Sequence, residues 1–158
     1  MRSASVPLTS PDQYGVVMTR ARNKRRQRAA DGHALTVVVC RGGDCGSRAK
    51  HPGVDHVGLL RETRELVGRS AQVAPSKCLD ACEHSNVVVV VPAAAASEGE
   101  PVWIGDVNDS DVNAALCEYV RAGGPGVADL PIELELRRFR ATRRNREELD
   151  AERSAPGA

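Results

Sequence analysis

Apolar residues in this chain fall into short β-branched runs, separated by glycine, proline and charged residues. Leu35-Thr-Val-Val-Val39 is one such run and ends at a glycine-rich loop, the pattern of a buried strand. Val57, Leu59, Leu60, Leu66 and Val67 then recur at helical spacing, and Gly68 supplies a stop. Ala71-Gln-Val-Ala74 reads as a second, short strand leading to Pro75. Val87 to Val91 is the strongest strand signal and closes at Pro92. An alanine-rich, glycine-containing segment from Ala93 to Glu100 predicts a turn, with Pro101-Val-Trp-Ile104 as its partner strand. Asp109 or Ser110 can cap a final helix whose apolar face is Val112, Ala115, Leu116, Tyr119 and Val120, ended by Gly123-Gly124-Pro125. The order β-α-β-β-β-α predicts a small α/β sandwich. Its mixed sheet joins a parallel first pair to an antiparallel hairpin, with two helices covering it.

That topology gives the cysteines a meaning. Cys40-Arg-Gly-Gly-Asp-Cys45 follows the first strand directly, and Cys78-Leu-Asp-Ala-Cys82 follows the second. A helical crossover between two strands of one sheet is right-handed and makes them parallel, so both cysteine loops should emerge at the same end of the sheet. Gly42, Gly43 and Gly46 let the first loop turn tightly and aim backbone N–H groups at sulfur. Four thiolates on loops at strand ends suit a [2Fe-2S] cluster, whose protein ligands can all be cysteine sulfur. Zinc also accepts four thiolates, and the x4 and x3 spacings do not exclude it. A dithiol oxidoreductase would be expected to carry Cys-x-x-Cys, a spacing neither pair has.

Other residues near the pairs have plainer readings. Cys117 lies within the last helix beside Leu116 and reads as core packing. His51 and His56 are expected to make contacts at the entry to the first helix, and His84 to occupy a polar loop position. Asp44, Asp80 and Glu83 sit in or beside the cysteine loops, where Arg41, Arg48, Lys50 and Lys77 offset their charge. A reduction potential on the order of a few hundred millivolts negative is expected of a cysteine-ligated [2Fe-2S] centre in such surroundings.

Composition narrows the setting. The chain has 158 residues, and aromatics are only 3% of them, so Val, Leu, Ala and Ile must build the core. No apolar stretch approaches the roughly 18 residues of a membrane span. The N-terminus lacks the apolar segment of a secretory signal, which points to a cytoplasmic protein in a reducing compartment. The net charge of +1 conceals an uneven distribution. Residues 20–28 carry six Arg and Lys and no acid, whereas residues 31–132 hold eight basic against fourteen acidic side chains. Residues 1–32 have no hydrophobic period and read as a disordered basic arm. Without interleaved aromatics or a reading helix, nucleic acid is not its expected partner. Residues 132–158 form a third segment, rich in charge. Within it, Ile132 to Ala151 suggests a helix with Leu134, Leu136 and Phe139 as an apolar edge that docks on the domain or on a partner. No phosphate-cradling loop, nucleophile elbow or paired catalytic carboxylates is present, so no enzymatic activity is expected.

Cys-x4-Cys followed by Cys-x3-Cys on this element order resembles the thioredoxin-like [2Fe-2S] ferredoxins. The matching stretches are Val39-Cys-Arg-Gly-Gly-Asp-Cys-Gly46, Lys77-Cys-Leu-Asp-Ala-Cys-Glu83 with the valine strand after it, and Val102-Trp-Ile-Gly105. The small [2Fe-2S] subunit of respiratory NADH dehydrogenase carries a similar spacing. So does a group of actinobacterial ferredoxin-like proteins whose first motif is Cys-Arg-Gly-Cys-Cys-Cys-Gly; here Gly43 and Asp44 stand where two of those cysteines would be. The resemblance covers residues 33–131. It implies a thioredoxin-like fold, a [2Fe-2S] cluster held by Cys40, Cys45, Cys78 and Cys82, and one-electron transfer to a redox partner protein. The carrier would act free, as a homo-oligomer, or as a small subunit of an oxidoreductase. The alternative is a non-redox interaction or sensing module built on a four-cysteine zinc site.

Overall fold

A computed structural model describes residues 35–92 and 99–154. The expected basic arm at 1–32 and most of the alanine-rich turn lie outside the described residues. Four strands form one mixed sheet: β1 (Leu35–Cys40), β2 (Ala71–Ser76), β3 (Val88–Pro92) and β4 (Val102–Ile104), in the order β2-β1-β3-β4. β1 and β2 are parallel, with Leu35 opposite Ala71 and Cys40 opposite Ser76. β3 runs antiparallel to β1 and β4 antiparallel to β3. The parallel pair and the hairpin of the sequence reading are both present.

α1 (His56–Val67) makes the β1–β2 crossover, and α2 (Ser110–Arg121) follows β4. Asp55 starts α1 by accepting from the Gly58 amide at 2.9 Å, and Asp109 starts α2 by accepting from the Val112 amide at 2.9 Å. Such caps satisfy amides that have no partner within the helix. Gly68 ends α1 at φ 55°, a conformation that costs a side chain but not a glycine.

The buried face of α1 differs from the expected one. Val57 is 71% exposed and Leu66 turns partly to solvent, while His56, Leu59, Thr63 and Val67 face inward. These inward residues fall at 3- and 4-residue steps. Of the two polar ones Thr63 is satisfied: its hydroxyl donates to the Leu59 carbonyl at 2.7 Å and lies 2.8 Å from Asn113 Oδ1 on α2.

Strand side chains alternate between two cores. Leu35, Val37, Val39, Val88, Val90 and Ile104 pack with α1 and α2 on one face. Val38, Cys40, Val89, Val91 and Trp103 point to the other. A sheet buried on both faces explains why β1 and β3 read as unbroken apolar runs rather than alternating ones.

The second face is covered by the C-terminal segment, so the sheet has helices on both sides instead of only the two expected. The segment is not one continuous helix. α3 (Ile132–Glu135) places Leu134 fully inside, against the α1/α2 layer. Residues 137–139 then run alongside β4: the Phe139 amide donates to Trp103 O at 3.1 Å and the Gly105 amide to Arg137 O at 3.0 Å. α4 (Arg143–Ser154) follows and buries Leu149 and Asn145 on the Trp103 face. Of the expected apolar edge, Leu134 and Phe139 pack inward, but Leu136 is 78% exposed. Among the described residues no helix is long and apolar enough to cross a membrane.

Candidate metal centre

The parallel pairing of β1 with β2 brings the two cysteine loops to one end of the sheet. Cys40 is the last residue of β1, and the Arg41 amide donates to Ser76 O at 3.0 Å, carrying the ladder up to the loops. The loops then press together. A Cβ placed on Gly42 would stand 2.8 Å from both Lys77 C and Cys78 Cα, so only glycine fits. Gly43, at φ 60°, arches over the second pair: a Cβ there would lie 3.0 Å from Cys82 Sγ and 3.1 Å from Cys78 Sγ. Its missing side chain leaves open the space in front of those sulfurs.

The four thiols are grouped in twos. Cys78 and Cys82 have their sulfurs 3.6 Å apart and are half-buried. Cys40 and Cys45 are buried in the core on the Trp103 face. The neighbouring Cys45 thiol outweighs burial and lowers the pKa of Cys40, with help from backbone hydrogen bonds and the Arg41 charge. Cys45 is pushed well up by Cys40 beside it. Burial raises Cys78 as well. Among the described residues, no three or more His, Cys, Asp and Glu side chains are gathered as around a single metal ion.

Backbone amides point at one sulfur of each pair. Val87 N–H donates to Cys45 Sγ at 3.4 Å, and Asp80 N–H donates to Cys78 Sγ at 3.4 Å. As a thiol, Cys40 donates to Lys77 O at 3.3 Å, a contact that ties the first pair to the second loop.

Two buried asparagines that sequence reasoning passed over hold these loops. Asn86, just before the valine run, accepts from the Gly46 amide at 2.6 Å and donates to Asn108 Oδ1 at 2.6 Å. Asn145 on α4 donates to the carbonyls of Leu79 and Asp80. The signal for Asn145 was the Thr142-x-x-Asn145 pattern at a helix start, with Leu149 one turn on. Nothing in the local sequence marks Asn86.

Cys117 is buried in the α1/α2 core and raised to about 12 by burial and the nearby Glu62 carboxylate. His51 Nε2 lies 2.9 Å from the Ser85 hydroxyl, linking the two loops' flanks. His56 is buried with both ring nitrogens unpartnered, and burial together with the Arg41 charge lowers its pKa. His84 stacks on Phe139, centroids 4.0 Å apart, and Phe139 meets Trp103 edge-on at 6.0 Å. Asp44 pairs with Lys50 at 2.5 Å and Asp80 with Arg144 at 2.8 Å, so two of the three loop acids are neutralised locally.

No protein-family model, curated protein or solved structure matches this chain.

Proposed function

We propose that this chain is a one-electron carrier whose Cys40, Cys45, Cys78 and Cys82 hold a [2Fe-2S] cluster in a thioredoxin-like domain. The observation that carries the reading is the meeting of two thiol pairs at one sheet end. The 3.6 Å between Cys78 and Cys82 sulfurs is close to the roughly 3.8 Å edge of a tetrahedron with metal–sulfur bonds of about 2.3 Å. Grouping in twos favours a binuclear centre, with two thiolates per iron, over one zinc ion taking all four. Gly43 supports it too, since a side chain there would fill the space such a centre needs.

When bound, the cluster would supply a site that accepts and releases one electron. The chain's part is to bind and tune it. Val87 and Asp80 amides donate to cysteine sulfur and stabilise added negative charge there, which raises the potential. Burial of Cys40 and Cys45 screens one half from water, while the half-buried Cys78 and Cys82 form the exposed side through which an electron would reach a partner protein.

Anaerobic purification followed by metal and sulfide analysis tests the proposal directly. Two irons and two sulfides per chain, visible charge-transfer bands bleached reversibly by dithionite, and an EPR signal on reduction are expected. A colourless protein with one zinc, indifferent to reductant, would replace this reading with the zinc-stabilised interaction module.

A further inference from the structure

We infer that Asn145 is a positioning residue for the second ligand pair: from the C-terminal helix it fixes the loop backbone so that the Asp80 amide points at Cys78 Sγ. The inference deepens the cluster reading and rests on it for its redox consequence, but its geometric core concerns the protein alone.

Asn145 is 2% exposed on a helix whose other side chains mostly face water. A buried carboxamide is tolerated only when its donors and acceptor are used, and here they are. Nδ2 donates to Leu79 O at 3.0 Å and to Asp80 O at 2.7 Å. Oδ1 accepts from the Thr142 amide and hydroxyl, each at 2.8 Å. The Asn145 amide in turn donates to Thr142 Oγ at 3.2 Å, so the residue is locked reciprocally at the helix start. The surroundings also fix which end of the carboxamide faces the loop: two donors meet its oxygen, and two carbonyls meet its nitrogen.

What it holds is a strained residue. Asp80 sits at φ 56°, in the left-handed region that residues with a side chain enter seldom. Asn145 secures its carbonyl, and Arg144 Nε secures its carboxylate at 2.8 Å. In that conformation the Asp80 amide reaches Cys78 Sγ at 3.4 Å. The same helix grips the loop's other flank, where Glu152 accepts from the Lys77 amide at 2.9 Å. Positions 145, 149 and 152 form an i, i+4, i+7 stripe, so one face of α4 carries a loop clamp, a core anchor and a second clamp.

Asn145→Asp tests this, because it preserves shape and exchanges the donor for an oxygen that faces two carbonyls. In the metal-free, reduced protein, amide exchange at Asp80 should accelerate on the order of tenfold or more, while amides of residues 40–46 keep their rates. In protein loaded with iron and sulfide, the midpoint potential should shift negative, the EPR g values should change, and iron loss to a chelator should quicken. Should Asn145→Asp fail to fold, Asn145→Ser, which removes both donated bonds without adding charge, carries the same exchange test at Asp80. Unchanged Asp80 exchange in a folded variant would overturn the inference. If wild-type protein takes up no cluster, the electron-carrier proposal fails, while the exchange result still decides the role of Asn145.

Discussion

Gly42→Ala probes the contact on which the site depends. A methyl group at Gly42 would come within 2.8 Å of both Lys77 C and Cys78 Cα, where ordinary contact begins at 3.4 Å. The second loop would therefore have to retreat by more than about 0.6 Å, since the Cys78 backbone nitrogen stands closer still. It has little freedom to do so. The loop is tied to β1 through the Arg41 amide on Ser76 O, and to α4 through Glu152 and Asn145. Overpacking of this kind costs about 1–3 kcal/mol, and a clash with backbone rather than a flexible side chain belongs at the upper end. Loss of glycine's freedom in the unfolded chain returns about 0.4–1 kcal/mol, leaving a net loss of about 2 kcal/mol. With a urea m value of about 1–3 kcal/mol/M, the unfolding midpoint should fall by roughly 1 M, followed through the fluorescence of Trp103, the single tryptophan. Gly53→Ala is the control, since nothing lies within 4 Å of a Cβ there. Iron retention should fall in the first variant and not in the second. A Gly42→Ala midpoint and iron content equal to those of Gly53→Ala would refute the packed-loop geometry.

Other expectations follow from the same structure. Leu149→Ala should cost about 2–5 kcal/mol and alter Trp103 emission, since both belong to the core under α4; differential unfolding measures it. Cys117→Ala should leave iron and sulfide content unchanged, because this thiol lies in the other core, away from the pairs; thiol counting should find Cys117 unreactive until the chain unfolds. His56 has a folded-state pKa below its ordinary 6.5, so the unfolded chain takes up its proton first as pH falls. Stability should decline as pH drops below that value, and His56→Leu should flatten this part of the urea-midpoint profile. Asp44→Asn should raise the cluster potential only slightly, since Lys50 already neutralises that carboxylate; potentiometric titration gives the shift.

The sheet and its first two helices were legible because β1 and β3 are apolar runs bounded by turn residues, and each helix pairs an apolar spacing with a glycine near its end. The meeting of the cysteine loops was legible from topology alone, since one parallel crossover fixes which ends of the strands coincide. The covering of the second face was harder to see. α4 contributes only Leu149 and Asn145 fully to the interior, so its sequence reads as a solvated charged helix, and Leu136 looked more apolar than its position warrants. Val57 misled in the same way, since Thr63, polar by composition, takes an inward position through its bond to Asn113. Asn86 reaches the Gly46 amide of a distant loop and nothing in local spacing marks it, whereas Asn145 carries a helix-start pattern with Thr142 that says nothing of its loop partners.

The borders of the sheet have a consequence for behaviour at high concentration. The outer side of β4 is already occupied by residues 137–139 of the same chain. On the opposite border, the Ser76 carbonyl turns toward β1, so the ring nitrogen of Pro75 faces outward, where a donor would otherwise be offered. An invading strand would find only a few consecutive pairing positions before that interruption. Fibril-like stacking through this sheet is thereby discouraged.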